Sequence, residues 1–323
     1  MSRIVLDVRG LKTYFYTYEG VVKAVDGVSF SIREGEFFGL VGETGCGKSV
    51  TALSVMRLVD PPGRIVGGEV LLDGIDILKL SEKEMQGVRG RKISMIFQDP
   101  MASLSPLMKI GEQIAEVLRK SSKEVSRERI LDLLKLVRMP SPERVIDSYP
   151  FELSGGMRQR AMIAMMLSAK PRLLIADEPT TALDVTTQAQ ILNLLKEMKR
   201  ELKLSLWLIT HDLGVVAELC DRSCVMYAGR IVECGTIREI FREPLHPYTR
   251  GLLEAIPKVH LKVDRLATIP GTVPDLIDPP SGCRFHPRCP YASYRCIESL
   301  PEAVSFTPTH IVFCHLYSGG IKA

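Results

Sequence analysis

The sequence predicts an α/β fold in which a largely parallel sheet alternates with helices. Short, continuous apolar runs occur at residues 37–41, 93–97, 173–177 and 205–210, as expected for strands buried on both faces. Helical segments follow at 49–59, 155–169 and 188–202, so strands and helices alternate along the chain. A glycine-rich loop joins the first apolar run to the first helix. With 323 residues, the chain can form one large domain of this class and a smaller one.

Composition limits the possible partners. The chain is 46% hydrophobic and 25% charged, and its net charge of +4 gives little support for a nucleic-acid partner. Arg3, Asp7 and Arg9 interrupt the first ten residues, so no secretory signal is expected. No run approaches the roughly 18 apolar residues that span a bilayer. We therefore expect a cytosolic protein whose membrane attachment comes through other subunits.

The amino-terminal third is predicted to consist mainly of strands. Residues 4–9 and 21–32 alternate between apolar and polar side chains, and residues 34–36 form the turn into the 37–41 run. Pro61, Pro62 and Gly63 break the first helix, and residues 68–80 indicate a further hairpin and short strand.

A helical insertion is predicted in the middle of the chain. Residues 93–97 form an apolar strand that ends at Gln98, and residues 110–138 then show helical periodicity in two segments separated by the polar residues 120–123. The core resumes at residue 155 and closes with a hairpin at 224–234. From about residue 241, prolines punctuate a tail with little predicted regular structure. We therefore expect domains at 1–240 and 241–323, with a helical subdomain at about 99–160.

The glycine-rich loop has the G-x-x-x-x-G-K-[ST] spacing of a phosphate-binding P-loop, between a strand and a helix. Backbone N–H groups and the helix amino terminus present positive dipole ends to phosphates. Lys48 is expected to reach the β- and γ-phosphates and Ser49 to hold Mg²⁺, whereas Val50 offers only its backbone. Many ATPases and GTPases share this loop, so by itself it predicts only a nucleoside triphosphate, contacted by Gly42, Glu43, Thr44, Gly45, Cys46, Gly47, Lys48, Ser49 and Val50.

Two further sequence strings indicate which class of P-loop protein this chain resembles. Leu153-Ser154-Gly155-Gly156 precedes residues 157–160, Met-Arg-Gln-Arg, and Asp177-Glu178 begins the string Asp-Glu-Pro-Thr-Thr-Ala-Leu-Asp. Together they resemble the signature and Walker B regions of ATP-binding cassette (ABC) ATPases. The resemblance implies a RecA-like P-loop core with an antiparallel β subdomain, a helical subdomain insertion and, in this chain, a carboxy-terminal cysteine-rich extension.

The same resemblance implies roles for individual residues. Asp177 would hold Mg²⁺ with Ser49 and Gln98, and Glu178 would orient the attacking water. His211, at the end of the 205–210 strand, matches the switch histidine that senses the γ-phosphate. The predicted catalytic set is Glu178, His211, Gln98 and Lys48. Residues expected to serve the ATP of a partner subunit are Ser154, Gly155, Gly156, Met157 and, in the D-loop at 181–184, Asp184.

Adenine requires a flat stacking partner, and aromatic residues cluster at positions 14–18. The family pattern favours Phe15 or Tyr16. A packing role for either residue is an equally good interpretation.

The eight cysteines fall into two groups. Cys46, Cys220, Cys224 and Cys234 are interpreted as small packing residues. The other four, Cys283, Cys289, Cys296 and Cys314, are concentrated in the proline-rich tail and indicate metal binding. The C-x2-C knuckles of common zinc sites are missing, and four thiolates can instead hold an iron–sulfur cluster.

The tail strings His246-Pro247-Tyr248-Thr249, residues 269–271 and residues 282–289 resemble the carboxy-terminal region of dipeptide/oligopeptide permease ATPases. That resemblance implies an ATP-hydrolysing subunit that powers peptide import from the cytoplasmic face of the membrane. Implied partners are a second related ATPase, two transmembrane permease subunits that dock near Gln98 to Pro106, and an extracytoplasmic binding protein. A [4Fe–4S] cluster on the four cysteines is implied, with zinc as the alternative.

Other functions stay open at this point. Related permeases carry oligosaccharides or nickel, and the solute is not expected to touch this chain. A soluble ABC ATPase that acts on DNA or ribosomes usually has a long coiled-coil insertion or two tandem cassettes, and neither pattern is present in the sequence. An exporter ATPase is less consistent with the His-Pro-Tyr-Thr tail.

Overall fold

A computed structural model describes residues 3–99, 103–121, 124–181, 183–256 and 268–318. The chain divides into two compact units. The first contains residues 1–6, 32–37 and 79–208, and the second contains residues 7–31, 38–78 and 209–323.

The described residues form twelve strands. These are β1 (Ile4–Tyr16), β2 (Val21–Arg33), β3 (Phe37–Val41), β4 (Gly63–Leu72), β5 (Ile75–Asp76), β6 (Ile93–Ile96), β7 (Leu173–Asp177), β8 (Ser205–Thr210), β9 (Arg222–Tyr227), β10 (Arg230–Thr236), β11 (Ala303–Ser305) and β12 (Ile311–Phe313).

The described α-helices are α1 (Lys48–Met56), α2 (Glu82–Val88), α3 (Ile110–Lys120), α4 (Arg127–Leu136), α5 (Pro142–Val145), α6 (Gly155–Leu167), α7 (Val185–Leu202), α8 (Leu213–Leu219), α9 (Ile237–Arg242), α10 (Pro247–Glu254) and α11 (Tyr294–Glu298). Short 3₁₀ turns occur at Pro150–Glu152, His286–Arg288 and His315–Tyr317. None of the helices in the described part of the chain is both long and apolar enough to cross a membrane.

The first unit is built on a buried sheet segment in the order β8-β7-β6. Strands β6 and β7 are parallel, with Ile93 opposite Leu173 and Ile96 opposite Ala176, and every residue of both strands is buried. Helix α6 packs on β6 and also contacts α3, α4 and α7. The continuous apolar runs therefore form the centre of the unit, as expected for strands covered on both faces.

The second unit contains strands of two sheets. One has the order β2-β1-β4-β5, and the other places β11-β12-β10-β9-β3 side by side. Strand β3 is parallel to β9, with Leu40 opposite Cys224, whereas β9–β10 and β10–β12 are antiparallel pairs. Because β12 belongs to the tail, the tail adds strands to the sheet that carries the P-loop.

Most predicted elements are present, and the differences have local causes. Strand β1 continues to Tyr16. Helix α2 was not predicted because its sequence lacks apolar periodicity, and it begins instead with a capping box between Ser81 and Glu84. The tail, for which little regular structure was predicted, contains the short elements α10, α11, β11 and β12. These elements are too short to show a clear period in the sequence.

The interpretation of Cys224 and Cys234 as simple packing residues was also wrong. A disulfide joins them. The antiparallel register of β9 and β10 places the two residues directly opposite each other, with a Cα–Cα distance of 4.1 Å. The sequence does not reveal that register.

Candidate active site

The P-loop connects β3 to α1, and two of its glycines are sterically required. Gly47 is the N-cap of α1 with φ 102°, and a Cβ there would lie 2.1 Å from the carbonyl oxygen of Ala24. A Cβ on Gly42 would lie 2.1 Å from the carbonyl oxygen of Met226. The first turn of α1 contains no acidic residue, so the loop and the helix amino terminus form a cradle suited to an anion.

Lys48 lies inside this loop and is buried. Its Nζ donates to the carbonyl oxygens of Gly42 at 2.8 Å and Glu43 at 2.9 Å. Cys46 is buried beside it, and burial raises the pKa of its thiol, so the thiol remains neutral next to the ammonium group. Thr44 and Gly45 at the tip of the loop are exposed, and Ser49 and Val50 are half-buried.

The first unit brings Gln98 and Glu178 together. Glu178 follows buried Asp177 at the end of β7, and Gln98 lies two residues beyond β6. The Gln98 Nε2 donates to Glu178 Oε2 at 3.1 Å, and Thr181 Oγ1 donates to the same oxygen at 2.8 Å. Glu178 also has a positive φ of 46°, which is uncommon for a glutamate.

The signature string forms the beginning of α6. Ser154 is the N-cap, and its hydroxyl accepts from the Met157 N–H at 3.3 Å. Gly155 and Gly156 form the first turn, and a Cβ on Gly156 would lie 2.5 Å from Thr187 Cγ2. The first turn contains no acidic residue, so the amino terminus of α6 is also suited to an anion.

The D-loop leads into α7. Asp184 is exposed and serves as the N-cap of that helix, where its carboxylate accepts from the Thr187 N–H and hydroxyl at 2.9 and 2.6 Å. The hydrogen bonds from Thr187 lower the pKa of Asp184. Val185 beside it is an apolar residue with 84% of its surface exposed. Ala182 of the same string lies outside the described residues, as do residues 100–102 of the predicted docking segment.

His211 belongs to the second unit. It follows β8 directly and is exposed, immediately before Asp212, which caps α8 by accepting from the N–H groups of Gly214 and Val215. The strand end and the helix cap therefore fix the backbone on both sides of the imidazole.

The two candidate adenine partners differ in their surroundings. Phe15 is half-buried, with its ring edge close to Gly63. Tyr16 is 47% exposed, and the guanidinium of Arg64 lies 5.6 Å from its ring centroid. The neighbouring Tyr14 donates its hydroxyl to Asp26 at 2.8 Å.

Sequence reasoning missed a contact between the tail and the P-loop. The guanidinium of Arg288 forms two bonds to the carboxylate of Glu43, at 2.7 and 3.1 Å, and the Tyr248 hydroxyl accepts from the Glu43 N–H at 2.9 Å. A nearby network is also formed by the tail, since Arg284 donates to Asp26 at 2.7 Å. The only signal in the sequence was that Tyr248 lies in the His-Pro-Tyr-Thr string and Arg288 in the string at residues 282–289.

The four tail cysteines are neighbours in the second unit. Burial raises the pKa of Cys283 to about 11 and of Cys314 to about 12, and the other thiols contribute to both shifts. Cys296 and Cys314 are buried, with 8% and 7% of their surfaces exposed. Across the described parts of the chain, no three His, Cys, Asp or Glu side chains are arranged to hold a metal ion.

Comparison with known protein families gives two matches. Residues 25–181 match the ABC transporter family, and residues 232–296 match the family described as oligopeptide/dipeptide transporter, C-terminal region. The first match contains the P-loop, Gln98 and the Asp177-Glu178 pair. The second contains His246, Tyr248 and the Cys283–Cys289 segment.

Curated relatives align over almost the whole chain. The oligopeptide transport ATP-binding protein OppD of Bacillus subtilis (strain 168) is 53% identical over 312 residues, covering 95% of this chain and 87% of the relative. The dipeptide transport ATP-binding protein DppD of the same strain is 50% identical over 316 residues, covering 97% and 94%. The oligopeptide transport ATP-binding protein OppD of Escherichia coli (strain K12) is 50% identical over 312 residues, covering 96% and 92%.

Solved structures show the same fold. The dimeric structure of MJ0796, a bacterial ABC transporter cassette, matches with a TM-score of 0.65 and 29% identity, covering 72% of this chain and 99% of that cassette. Another match is cbiO1 from Clostridium perfringens, part of the ABC transporter complex cbiONQ, with a TM-score of 0.63 and 28% identity, covering 75% and 92%.

Proposed function

The chain belongs to the ABC transporter ATP-binding proteins, and from that premise we propose that it powers the import of di- and oligopeptides. The observation that carries the peptide assignment is the carboxy-terminal match over residues 232–296, together with roughly 50% identity to peptide-transport relatives over at least 95% of the chain. ATP hydrolysis itself follows from family membership. Oligosaccharide or nickel import would use the same motor with a different solute.

We propose that the P-loop binds the triphosphate of ATP. Lys48 would exchange its two carbonyl partners for the β- and γ-phosphates, and the N–H groups of the loop and of α1 would surround them. Mg²⁺ would be held by Ser49, Asp177 and Gln98, where it neutralises the phosphate charge. These are oxygen donors, the ligand type that Mg²⁺ prefers.

Glu178 is proposed as the carboxylate that orients the attacking water, with His211 as the γ-phosphate sensor. The support is local geometry, because Gln98 and Thr181 both donate to Oε2 of the Glu178 carboxylate. Orientation matters because phosphoryl transfer depends mainly on positioning and charge stabilisation. Tyr16 is the better-placed adenine partner, since its ring is the more exposed of the two candidates.

The signature helix is proposed to serve the ATP of a partner subunit. Its amino terminus is capped by Ser154, is free of acidic residues and carries two glycines that allow close approach of a phosphate. Gly155, Gly156, Met157 and Asp184 would contribute to the same contact. We infer a related second ATPase as that partner, two transmembrane permease subunits, an extracytoplasmic binding protein, and a position at the cytoplasmic face of the membrane.

The test is ATP turnover by the full complex in membrane vesicles, with binding protein loaded with peptides, oligosaccharides or Ni²⁺. A complex that carries Glu178→Gln supplies the background rate. Stimulation by peptides alone supports the proposal. Stimulation by sugar or nickel keeps the motor and changes the solute, and equal rates with every load would contradict the importer assignment.

For the tail, we propose a [4Fe–4S] cluster held by Cys283, Cys289, Cys296 and Cys314. The support is the donor set, four soft sulfur atoms of the type that holds such clusters, and the burial that raises the pKa values of the Cys283 and Cys314 thiols. A bound cation would favour the thiolates that burial alone disfavours. The group would be structural here, tying down a segment with a small core of its own.

Anaerobic purification followed by iron, sulfide and zinc analysis tests this proposal. We expect four iron atoms per chain and a visible charge-transfer absorption. Both the iron and the absorption should be lost in Cys289→Ser. Stoichiometric zinc would indicate a zinc site in place of the cluster. The absence of both iron and zinc would refute a metal centre.

A further inference from the structure

The tail holds one residue of the P-loop, Glu43, from two sides. Arg288 binds its side chain, and Tyr248 binds its backbone N–H. We call Arg288 and Tyr248 the P-loop clamp. Both clamp residues lie more than 200 positions from Glu43 in the sequence, with separations of 245 and 205.

Arg288 is fixed in several ways. Its side chain is 6% exposed, it donates to the carbonyl oxygens of Pro270 and Ile269 at 2.8 and 3.3 Å, and its guanidinium lies 5.7 Å from the Tyr227 ring centroid. Burial lowers the pKa of Arg288, but the bonds to Glu43 and Tyr227 outweigh burial and raise it. The bidentate pair with Glu43 is therefore a preorganised, charge-assisted contact.

Tyr248 is fixed equally well. Its ring is fully buried and packs against Tyr227 and Phe285, with centroid distances of 4.7 and 5.4 Å. The preceding His246 caps α10, because its Nδ1 accepts from the Tyr248 N–H at 3.0 Å. Burial lowers the pKa of His246 to about 4, so the imidazole is neutral at pH 7 and Nδ1 is able to accept that bond.

The clamp acts on the part of the loop that supports Lys48. The carbonyl oxygens of Gly42 and Glu43 both accept from Lys48 Nζ, and the Tyr248 bond fixes the peptide between these two residues. The carboxylate of Glu43 also places a negative charge on a loop that receives a triphosphate. Arg288, whose side chain is 6% exposed, balances that charge, while the Glu43 side chain is 30% exposed.

We propose that Arg288 and Tyr248 are positioning residues for ATP binding, which set the conformation and charge of the P-loop through Glu43 without touching the nucleotide. The tail is thereby part of the nucleotide site as well as a mark of the permease family. This inference rests on the ATPase activity and is independent of the solute.

The test measures the ATP dissociation constant of the purified full chain and steady-state hydrolysis by the assembled complex. The variants are Arg288→Ala, Arg288→Lys, Glu43→Gln, Tyr248→Phe and the double variant Arg288→Ala/Glu43→Gln. Arg250→Ala is the matched control, because Arg250 also binds a carbonyl oxygen and a tyrosine hydroxyl of the tail, those of Pro244 and Tyr317. Thermal unfolding of each variant reports whether it is folded.

We expect Arg288→Ala to raise the dissociation constant of ATP about tenfold and to leave kcat at saturating ATP within about twofold, with partial rescue by Arg288→Lys. When Glu43 is already replaced by Gln, removing Arg288 should change the dissociation constant of ATP by less than about twofold, because no unbalanced carboxylate charge is left on the loop. Tyr248→Phe should weaken binding about fivefold.

Three results would overturn the proposal. One is an unchanged affinity in Arg288→Ala. Another is an equal loss in Arg250→Ala, which would indicate a merely structural tail. The third is an undiminished effect of removing Arg288 when Glu43 is already neutral, because the clamp would then not act through Glu43. None of these results depends on which solute the importer carries.

Discussion

Removing the Asp26 carboxylate should destabilise the second unit strongly. Asp26 has 9% of its side chain exposed, and its Oδ2 accepts from Arg230 and Arg284, each at 2.7 Å. Its Oδ1 accepts from the Tyr14 hydroxyl at 2.8 Å. The Arg284 side chain is 6% exposed and also donates to the carbonyl oxygen of Ala228, so it cannot turn to solvent without breaking that bond.

The magnitude follows from the charge that is left behind. Breaking a buried ion pair by removing one partner costs about 3–5 kcal/mol, because the other ion stays buried and uncompensated. We expect Asp26→Ala to fall in that range and Asp26→Asn, which keeps one acceptor oxygen, to cost about 2 kcal/mol. At about 2 °C per kcal/mol for a chain of this size, Asp26→Ala should lower Tm by about 6–10 °C.

The pH dependence has a definite sign. Burial raises the pKa of Asp26, but the Tyr14 hydroxyl and the two guanidinium groups outweigh burial and lower it below the ordinary 3.8. The stabilisation is therefore present above pH 3.8 and is lost as pH falls through the lower pKa of the folded state. Asp26→Asn should lack this component of acid sensitivity.

Differential scanning calorimetry of wild type, Asp26→Ala and Asp26→Asn measures these shifts. The control is Asp7→Ala, because Asp7 pairs at 2.7 Å with Arg9, whose side chain is 57% exposed, and such surface pairs contribute about 0–1 kcal/mol. A Tm for Asp26→Ala within about 2 °C of the Asp7→Ala value would show that the Asp26 carboxylate is not a buried, stabilising charge.

Three other changes test separate parts of the structure. Glu178→Gln should lower ATP turnover at least about 100-fold and leave the dissociation constant of ATP within about twofold of wild type. Near-wild-type hydrolysis in the assembled complex would contradict the catalytic role of Glu178. Burial raises the pKa of Glu239, but bonds from three threonine hydroxyls lower it to about 2, so its stabilisation is present above pH 4.5 and is lost as pH falls through about 2. Glu239→Gln should lower the free energy of unfolding at pH 7 by about 1–2 kcal/mol, after allowance for the partial exposure of the side chain. Its urea midpoint should change less than that of wild type between pH 4.5 and 2, and an equal fall in both proteins would contradict this. Tyr16→Ala should raise the dissociation constant of ATP at least fivefold without lowering Tm, whereas Phe15→Ala should lower Tm; the reverse pattern would make Phe15 the adenine partner.

Much of the candidate site was predictable because its chemistry is local in sequence. The P-loop needs glycines at fixed offsets to avoid clashes such as the one a Cβ on Gly47 would make with Ala24. Asp177 and Glu178 follow a strand whose residues are all buried, and apolar runs of that kind are visible in the sequence. The bond from Gln98 to Glu178 is understandable in the same way, since both residues follow adjacent parallel strands.

The tail was only partly predictable. Its motifs were visible, but its short helices and strands lack a period long enough to recognise, and β12 forms by pairing with β10 rather than by its own propensity. The disulfide between Cys224 and Cys234 likewise depends on the register of two strands.

The ATPase class and the order of the core elements were readable from the sequence alone, and so were the positions proposed as catalytic. These depend on spacings of a few residues, where backbone sterics and hydrogen bonding leave few alternatives. The partners of the buried charged groups, in contrast, are visible only in the folded chain. Glu43 meets Arg288 and Asp26 meets Arg284 across separations of 245 and 258 residues. Such pairs form because a buried charge requires a partner, and only the folded chain determines which charge is near enough to serve.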